Sequence, residues 1–307
     1  MNPTALLNAM PGAISQGLIW GIMAIGVYLT YKILDVADLT VDGTLCTGGA
    51  TFIVATMAGC SIPVAMLLAF VAGLAAGLIT GILHVACGIP AILAGILTQL
   101  ALYSINLRIM GKSNQPINAN NYDLLVSSRN VKVLGFENPI FIVGVAVVLL
   151  IALLYWFFGT ELGSSLRATG SNPNMARAQG INTGFTTVLG LMLSNGLVAL
   201  SSALLAQYQG FADVSMGRGA IVIGLAAVII GDVIFGKLFR NFALKLLSVV
   251  LGAVIYYVVY QLVIGLGMSG DDMKLITSLI VAVFLTIPYW KGKYFSKPVK
   301  IGGDHHA

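Results

Sequence analysis

Long apolar segments recur along the whole chain, and they leave little of it for water. Clear ones run at roughly 11–33, 63–87, 89–110, 138–159, 184–208, 218–236, 243–267 and 274–290. A shorter one, 43–59, follows a polar approach. A helix needs about 20 apolar residues to cross a hydrocarbon core about 30 Å thick. Only 9% of the 307 residues are charged, against about 25% in a soluble domain. So few charges do not cover a water-soluble surface, and the solvent must be mostly lipid. The 36 glycines fit this reading, because small residues let membrane helices approach closely. The expected fold is an all-α polytopic membrane protein with about nine (eight to ten) transmembrane helices.

Lys and Arg set the expected topology. With a cytoplasmic C-terminus, Lys291, Lys293, Lys297 and Lys300 lie inside, as do Lys237, Arg240, Lys245, Arg167, Arg177 and Lys32. Arg108, Lys112, Arg129, Lys132, Arg218 and Lys274 fall outside or near the outer face. The majority inside obeys the positive-inside rule, with nine crossings and an outer N-terminus. The net charge of +5 is therefore loop bias. No basic run is interleaved with aromatics away from the membrane ends, so no nucleic-acid partner is expected. The N-terminus lacks a basic n-region and a cleavage site, so the first apolar stretch is expected to be retained.

The two halves resemble each other. After the first span comes Asp35-Val36-Ala37-Asp38-Leu39-Thr40-Val41-Asp42-Gly43, then a Gly-rich helix. After the sixth comes Gly210-Phe211-Ala212-Asp213-Val214-Ser215-Met216-Gly217-Arg218-Gly219, then another. An odd number of crossings separates the two, so the repeats are expected to be inverted. Interrupted helices in matching positions of inverted repeats point to a transport pathway.

Asp35, Asp38 and Asp42 stand at i, i+3 and i+7, one face if helical. A carboxylate at bilayer depth costs roughly 2.5–3.5 kcal/mol, so they do not face lipid. Either they cap a helix N-terminus or they line a cavity, with Thr40 and Thr44 extending the polar face. Asp213, Ser215 and Arg218 form the second cluster, an outer loop or a re-entrant stretch facing the solute. Ser194, Asn195, Gln99 and Asn106 lie inside spans and read first as interhelical hydrogen bonds. From these clusters the candidate translocation path is Asp38, Thr40, Asp42, Thr44, Asn195, Asp213 and Ser215. Gly73-x-x-x-Gly77-x-x-x-Gly81 is a packing stripe. Gly231-Asp232-Val233-Ile234-Phe235-Gly236-Lys237-Leu238 falls short of a phosphate loop, because Leu238 replaces the hydroxyl that would hold Mg²⁺. Cys46, Cys60 and Cys87 form no CxxC pair, His84 is alone in its span, and no catalytic or metal set is expected.

A polar island divides the halves: Gly163-Ser164-Ser165-Leu166-Arg167-Ala168-Thr169-Gly170-Ser171-Asn172-Pro173-Asn174-Met175-Ala176-Arg177-Ala178-Gln179-Gly180-Ile181-Asn182. Pro173 suits a first helical position, Asn172 its N-cap and Gly180 its C-terminal cap. The run closely resembles the coupling segment of ATP-binding-cassette importer permeases, in the subgroup that includes branched-chain amino acid and ribose permeases. The resemblance extends over nearly the whole chain, including Gly217-Arg218-Gly219, Gly224-Leu225-Ala226 and Ile229-Ile230-Gly231. Asp38-Leu39-Thr40-Val41-Asp42-Gly43-Thr44 looks like the subset paired with lipoprotein receptors for tryptophan or tyrosine. Asp232 departs from relatives with a second Gly there, which predicts looser packing at that helix end.

The resemblance implies a type II-like importer permease in the bacterial cytoplasmic membrane, forming a homodimer. Two copies of an ATPase subunit would grip the segment through Leu166, Arg167, Ala168, Gly170, Pro173, Ala176, Arg177, Gly180 and Ile181. An extracellular lipoprotein would deliver a small solute, an amino acid with aromatic ones favoured. ATP would be bound by the partner, so this subunit is expected to be no enzyme and to hold no cofactor. The implied organisation is a first repeat with its linking helix (1–159), the coupling segment (160–182), a second repeat (183–290) and a cytoplasmic tail (291–307). The alternative is an ion-coupled secondary transporter using Asp35, Asp38 or Asp42.

Overall fold

A computed structural model describes residues 3–118, 122, 124–132, 135 and 138–265, with scattered positions between 275 and 286. The expected span 274–290 otherwise lies outside the described residues, as does the tail 291–307. Ten α-helices dominate: α1 (Pro3–Tyr28, continued by a π-helical stretch Leu29–Leu34), α2 (Val41–Met57), α3 (Ile62–Val85), α4 (Ala91–Met110), α5 (Pro139–Gly159), α6 (Glu161–Ser171), α7 (Pro173–Ala178), α8 (Thr183–Gln209), α9 (Ala220–Phe235) and α10 (Phe242–Gly265). Six described helices, α1, α3, α4, α5, α8 and α10, are long and apolar enough to cross a membrane. The shorter α2 and α9 are the two Gly-rich helices expected after the polar breaks.

Helices α1 and α8 are the buried centre, whereas α3, α4 and α5 expose most of their apolar surface. The central pair is antiparallel. Ser194 donates to the Gly26 carbonyl (2.8 Å), Ser201 to Ile19 (2.7 Å) and Tyr208 to Gly12 (3.4 Å); as one position rises the other falls. Around this pair the packing is duplicated. Helix α1 packs on α9 and α10 as α8 packs on α2 and α3, and α9 lies on α10 as α2 lies on α3. Exchanging α1–α3 for α8–α10 thus preserves these contacts, and the reversed direction makes the exchange an inversion.

Glycine sets how closely these helices meet. The stripe on α3 lies against α8 of the same subunit. A Cβ on Gly77 would stand 2.7 Å from the Met192 Cα, and one on Gly81 3.1 Å from the Val188 Cα. In the opposite seam the central helix supplies the glycines: a Cβ on Gly17 would lie 2.7 Å from the Val254 Cα. With no hydrophobic drive between helices in lipid, close contact of this kind holds them together. The looser packing predicted near Asp232 is not found. Gly231 meets α10 so closely that a Cβ would stand 2.7 Å from the Ser248 carbonyl carbon. Asp232 instead points outward and pairs with Lys32 at 3.7 Å, an exposed pair worth at most about 1 kcal/mol.

Candidate functional site

The chain breaks helix twice, after α1 and after α8. At the end of α1 the backbone turns at Asp35, whose φ of 55° is left-handed. Residues 35–40 are not helical, so Asp35, Asp38 and Asp42 do not share one helix face. Asp35 is exposed, Asp38 is buried, and Asp42 sits in the first turn of α2. An ion site made of all three is therefore not formed.

Asp38 belongs to a sealed polar network. Its Oδ1 accepts from the Thr40 amide (2.9 Å), and its Oδ2 from Asn195 Nδ2 (2.7 Å). Thr44 donates to Asn195 Oδ1 at 2.6 Å. The Thr40 hydroxyl meets Thr80 at 2.7 Å, and Thr80 donates to Thr98 at 2.9 Å. Every one of these side chains is at least 96% buried. Gly95 admits the break, because a Cβ there would sit 2.8 Å from the Leu39 nitrogen. The network ties α2, α3, α4 and α8 to the α1–α2 turn. Four expected path residues (Asp38, Thr40, Thr44 and Asn195) are thus assembled here. In this conformation they are buried and hydrogen-bonded inward.

The second break leaves α8 at Gly210 (φ 79°), forms the short strand β2 (Phe211–Asp213) and descends beside α2. β2 pairs antiparallel with β1 (Asn114–Pro116), Asn114 opposite Asp213. Cys46 donates to the Asp213 carbonyl (3.3 Å). Lower down, Gly217 passes so near the Asp42 backbone that a Cβ would stand 2.9 Å from its carbonyl carbon. There α2 and α9 meet N-terminus to N-terminus. Asp42 accepts from the Gly219 amide with Oδ2 and from the Ile221 amide with Oδ1, both at 2.9 Å. So Asp42 is a cap, but of α9 rather than of its own helix, satisfying donors that a helix start leaves open.

Asp213 and Ser215 form a turn above the junction. Asp213 Oδ1 accepts from the Ser215 amide (2.7 Å) and from its hydroxyl, and Asn114 reaches Oδ2 at 3.4 Å. Partial burial by itself would raise the Asp213 carboxyl. Those hydrogen bonds and the positive charge of Arg218 outweigh it and hold the group below its usual range. Arg218 itself is exposed beside the Asp42–Gly219 contact. Thr44 in α2's first turn bonds Asn195, midway along α8, which sets Arg218 level with the middle of α8 and not near the outer face, where the count of charges puts it. An arginine facing lipid at the helix centre costs roughly 2.5–3.5 kcal/mol, so its surroundings must be polar.

The polar segment 160–182 is more helical than the caps alone announced. α6 covers Glu161–Ser171 and is capped by Thr160 (3.4 Å from the Gly163 amide). α7 starts at Pro173 as expected. Asn172 caps it by accepting from the Met175 amide (3.0 Å), and Gly180 ends it with φ 83°. The pair is fastened to the membrane helices. Gly170 packs on the α1 end, where a Cβ would stand 2.8 Å from the Leu34 Cα. Leu166 and Ala176 are buried, and Thr169 bonds Thr186 at 2.8 Å. Both arginines are exposed, yet each makes an anchoring contact. Arg167 donates to the Phe158 carbonyl (2.9 Å) and lies over the Phe242 ring, while Arg177 Nε donates to Thr183 (2.8 Å). Pro173 and Gly180 are exposed, whereas Ala168 and Ile181 are half-buried. Sequence reading missed Met175, which is 59% exposed; an apolar residue at the third position of a capped surface helix was the available signal.

A family model described as branched-chain amino acid transport system / permease component matches residues 10–287. A tyrosine transport system permease protein of Clostridioides difficile is 43% identical over 279 residues, 91% of each chain. An autoinducer 2 import system permease protein of Salmonella typhimurium is 29% identical over 228 residues, 71% of this chain and 61% of that one. The solved structure of PsaBC from Streptococcus pneumoniae in complex with Fab aligns with a TM-score of 0.52 at 19% identity, over 94% of each chain. That likeness is one of fold.

Proposed function

The chain belongs to the branched-chain amino acid transport permease family of ATP-binding-cassette importers, a multi-pass protein of the bacterial inner membrane, and from that premise we propose that it imports an aromatic amino acid. The similarity to a permease named for tyrosine transport supports this substrate. Two copies of the subunit would form the pathway, two ATPase subunits would drive it, and an outer receptor would load it.

The observation that carries the coupling role is the α6–α7 pair. It presents Pro173, Met175 and Gly180 outward, while Gly170, Leu166, Thr169 and Arg177 bind it rigidly to α1 and α8. A push on α7 therefore reaches the α1–α2 break without a flexible joint. Within the proposed set, Arg167 and Arg177 anchor the pair and, being exposed, are also open to the ATPase. Met175 joins the surface the ATPase would grip. Coupling of this kind needs two states that differ at both ends.

Reconstituted with its ATPase and receptor, the permease is expected to take up tyrosine or tryptophan only with ATP inside reach of the ATPase. Met175→Asp should abolish ATPase co-purification while leaving the permease folded. Uptake that survives ATP depletion and collapses with the proton gradient would instead select the ion-coupled alternative.

A further inference from the structure

A cavity of about 390 Å³ lies between α2, α4 and the descending segment, beside the point where α2 and α9 meet. Its wall includes Gln99, Leu100, Tyr103, Asn106 and Arg218. Of these, Gln99 and Asn106 were read from the sequence as interhelical bonds. Three features converge on it. The Asn106 side chain is fully buried, yet its Oδ1 has no hydrogen-bond partner among the described residues. Arg218 is exposed and, although its charge acts on Asp213, makes no direct ion pair among the described residues. The neighbouring N-termini of α2 and α9 add positive potential, and Asp42 is already committed to two amides of α9.

An acceptor without a donor at one wall and, at another, an exposed guanidinium in no direct ion pair, its charge felt by Asp213, fit a ligand that carries both opposite groups. We propose that this cavity is a solute station that binds an amino acid as its zwitterion. The Arg218 guanidinium donates to the α-carboxylate, and Asn106 Oδ1 accepts from the α-ammonium. The side chain lies against Leu100 and Tyr103, both 44–64% exposed, where an aromatic ring finds an aromatic neighbour. Gln99 supplies a further amide. Glycine at position 43 lets α2 and α4 meet closely at the cavity's edge, because a Cβ there would stand 3.0 Å from the Gln99 Cα. The pathway thus runs past the outer side of α2, while the Asp38–Asn195 network stays sealed behind it. This proposal rests on the amino-acid reading above.

The test uses the full complex in proteoliposomes. In a background with Cys46, Cys60 and Cys87 replaced by Ala, Tyr103→Cys is treated with a charged methanethiosulfonate. Modification is expected, with a rate at least threefold slower when tyrosine, receptor and ATP are present. Modification only by a lipid-soluble maleimide would place Tyr103 against lipid and overturn the station. Arg218→Gln should lower tyrosine uptake at least tenfold with complex assembly unchanged, and Arg218→Lys only two- to threefold. Equal uptake by Arg218→Gln and the parent chain would remove the carboxylate contact. If Tyr103→Cys reacts with the charged reagent in complexes that import no amino acid, the substrate reading fails. The zwitterion assignment fails with it, and the cavity stands as the aqueous path for another solute.

Discussion

Two helix breaks stand in equivalent places of the two halves, and they do opposite things. The first, 35–40, closes on itself: Asp38, Thr40, Thr44 and Asn195 spend their polar groups on one another and on neighbouring helices. The second, 210–219, stays open, with Arg218 and Ser215 exposed and only backbone contacts holding Gly217 to α2. Asp42 joins them, since it starts α2 and caps α9. One inverted architecture thus provides a rigid half-site and an accessible one. Repetition of packing does not impose repetition of polarity: the helices need only matching small residues at their seams, and the breaks are free to diverge.

Substitutions at the seams should be felt most. Gly77→Leu drives a side chain into the α8 backbone and should cost about 3 kcal/mol or more, read as a loss of folded yield and a midpoint lower by many degrees in detergent. Gly21→Leu, in the counterpart seam, meets mainly the Val250 side chain, with its Cα at 3.2 Å. A smaller loss there would show that the α3–α8 seam is the less forgiving one, and equal losses would break that distinction.

Asn195→Ala strips the sealed break of a donor to Asp38 and an acceptor for Thr44. A buried carboxylate left short of a partner costs about 1–3 kcal/mol, so thermal unfolding should shift by several degrees. A variant as stable as the parent would mean that the network is not sealed in the membrane-embedded protein. Asp42→Asn keeps one acceptor for the α9 amides and turns a donor toward the other. The expected cost is about 1–2 kcal/mol, with uptake falling more than stability, because the junction of the two breaks is loosened. Unchanged uptake would reduce Asp42 to a local cap.

Asp213→Asn should have the smallest effect. The Asp213 carboxyl titrates below its ordinary value of 3.8 in the folded chain. The stability it contributes is present above that ordinary value and fades as the pH falls through the lower folded value. The parent and Asp213→Asn should therefore differ slightly near neutral pH and converge in strong acid, followed by thermal unfolding across a pH series. A difference that grew on acidification would reverse the assignment.

Much of the candidate site was legible because it depends on local rules. Asn172, Pro173 and Gly180 announced α7, since caps and positive φ are set within a few residues. The segment's arginines were legible as charges but not as anchors: Phe158 and Thr183 stand nine and six residues away from them, and the loop's shape decides which way a long side chain turns. Asp42 was read as a cap, yet its target, Gly219, lies 177 residues on. Gln99, Tyr103 and Asn106 were not recognisable as a wall, because each sits in an apolar helix where an interhelical bond is the ordinary use of a polar side chain.

By itself the sequence determined the lipid solvent, the bounds of the long helices, the two polar breaks and the capped helix that starts at Pro173. Length, apolar run and cap chemistry are properties of contiguous residues. Only the tertiary structure decided which break is sealed and which helix Asp42 serves. It also assigned the glycine stripe of α3 to α8 of its own subunit. Those outcomes depend on antiparallel helices meeting at residues far apart in the chain, where a missing Cβ or one hydrogen bond selects the partner.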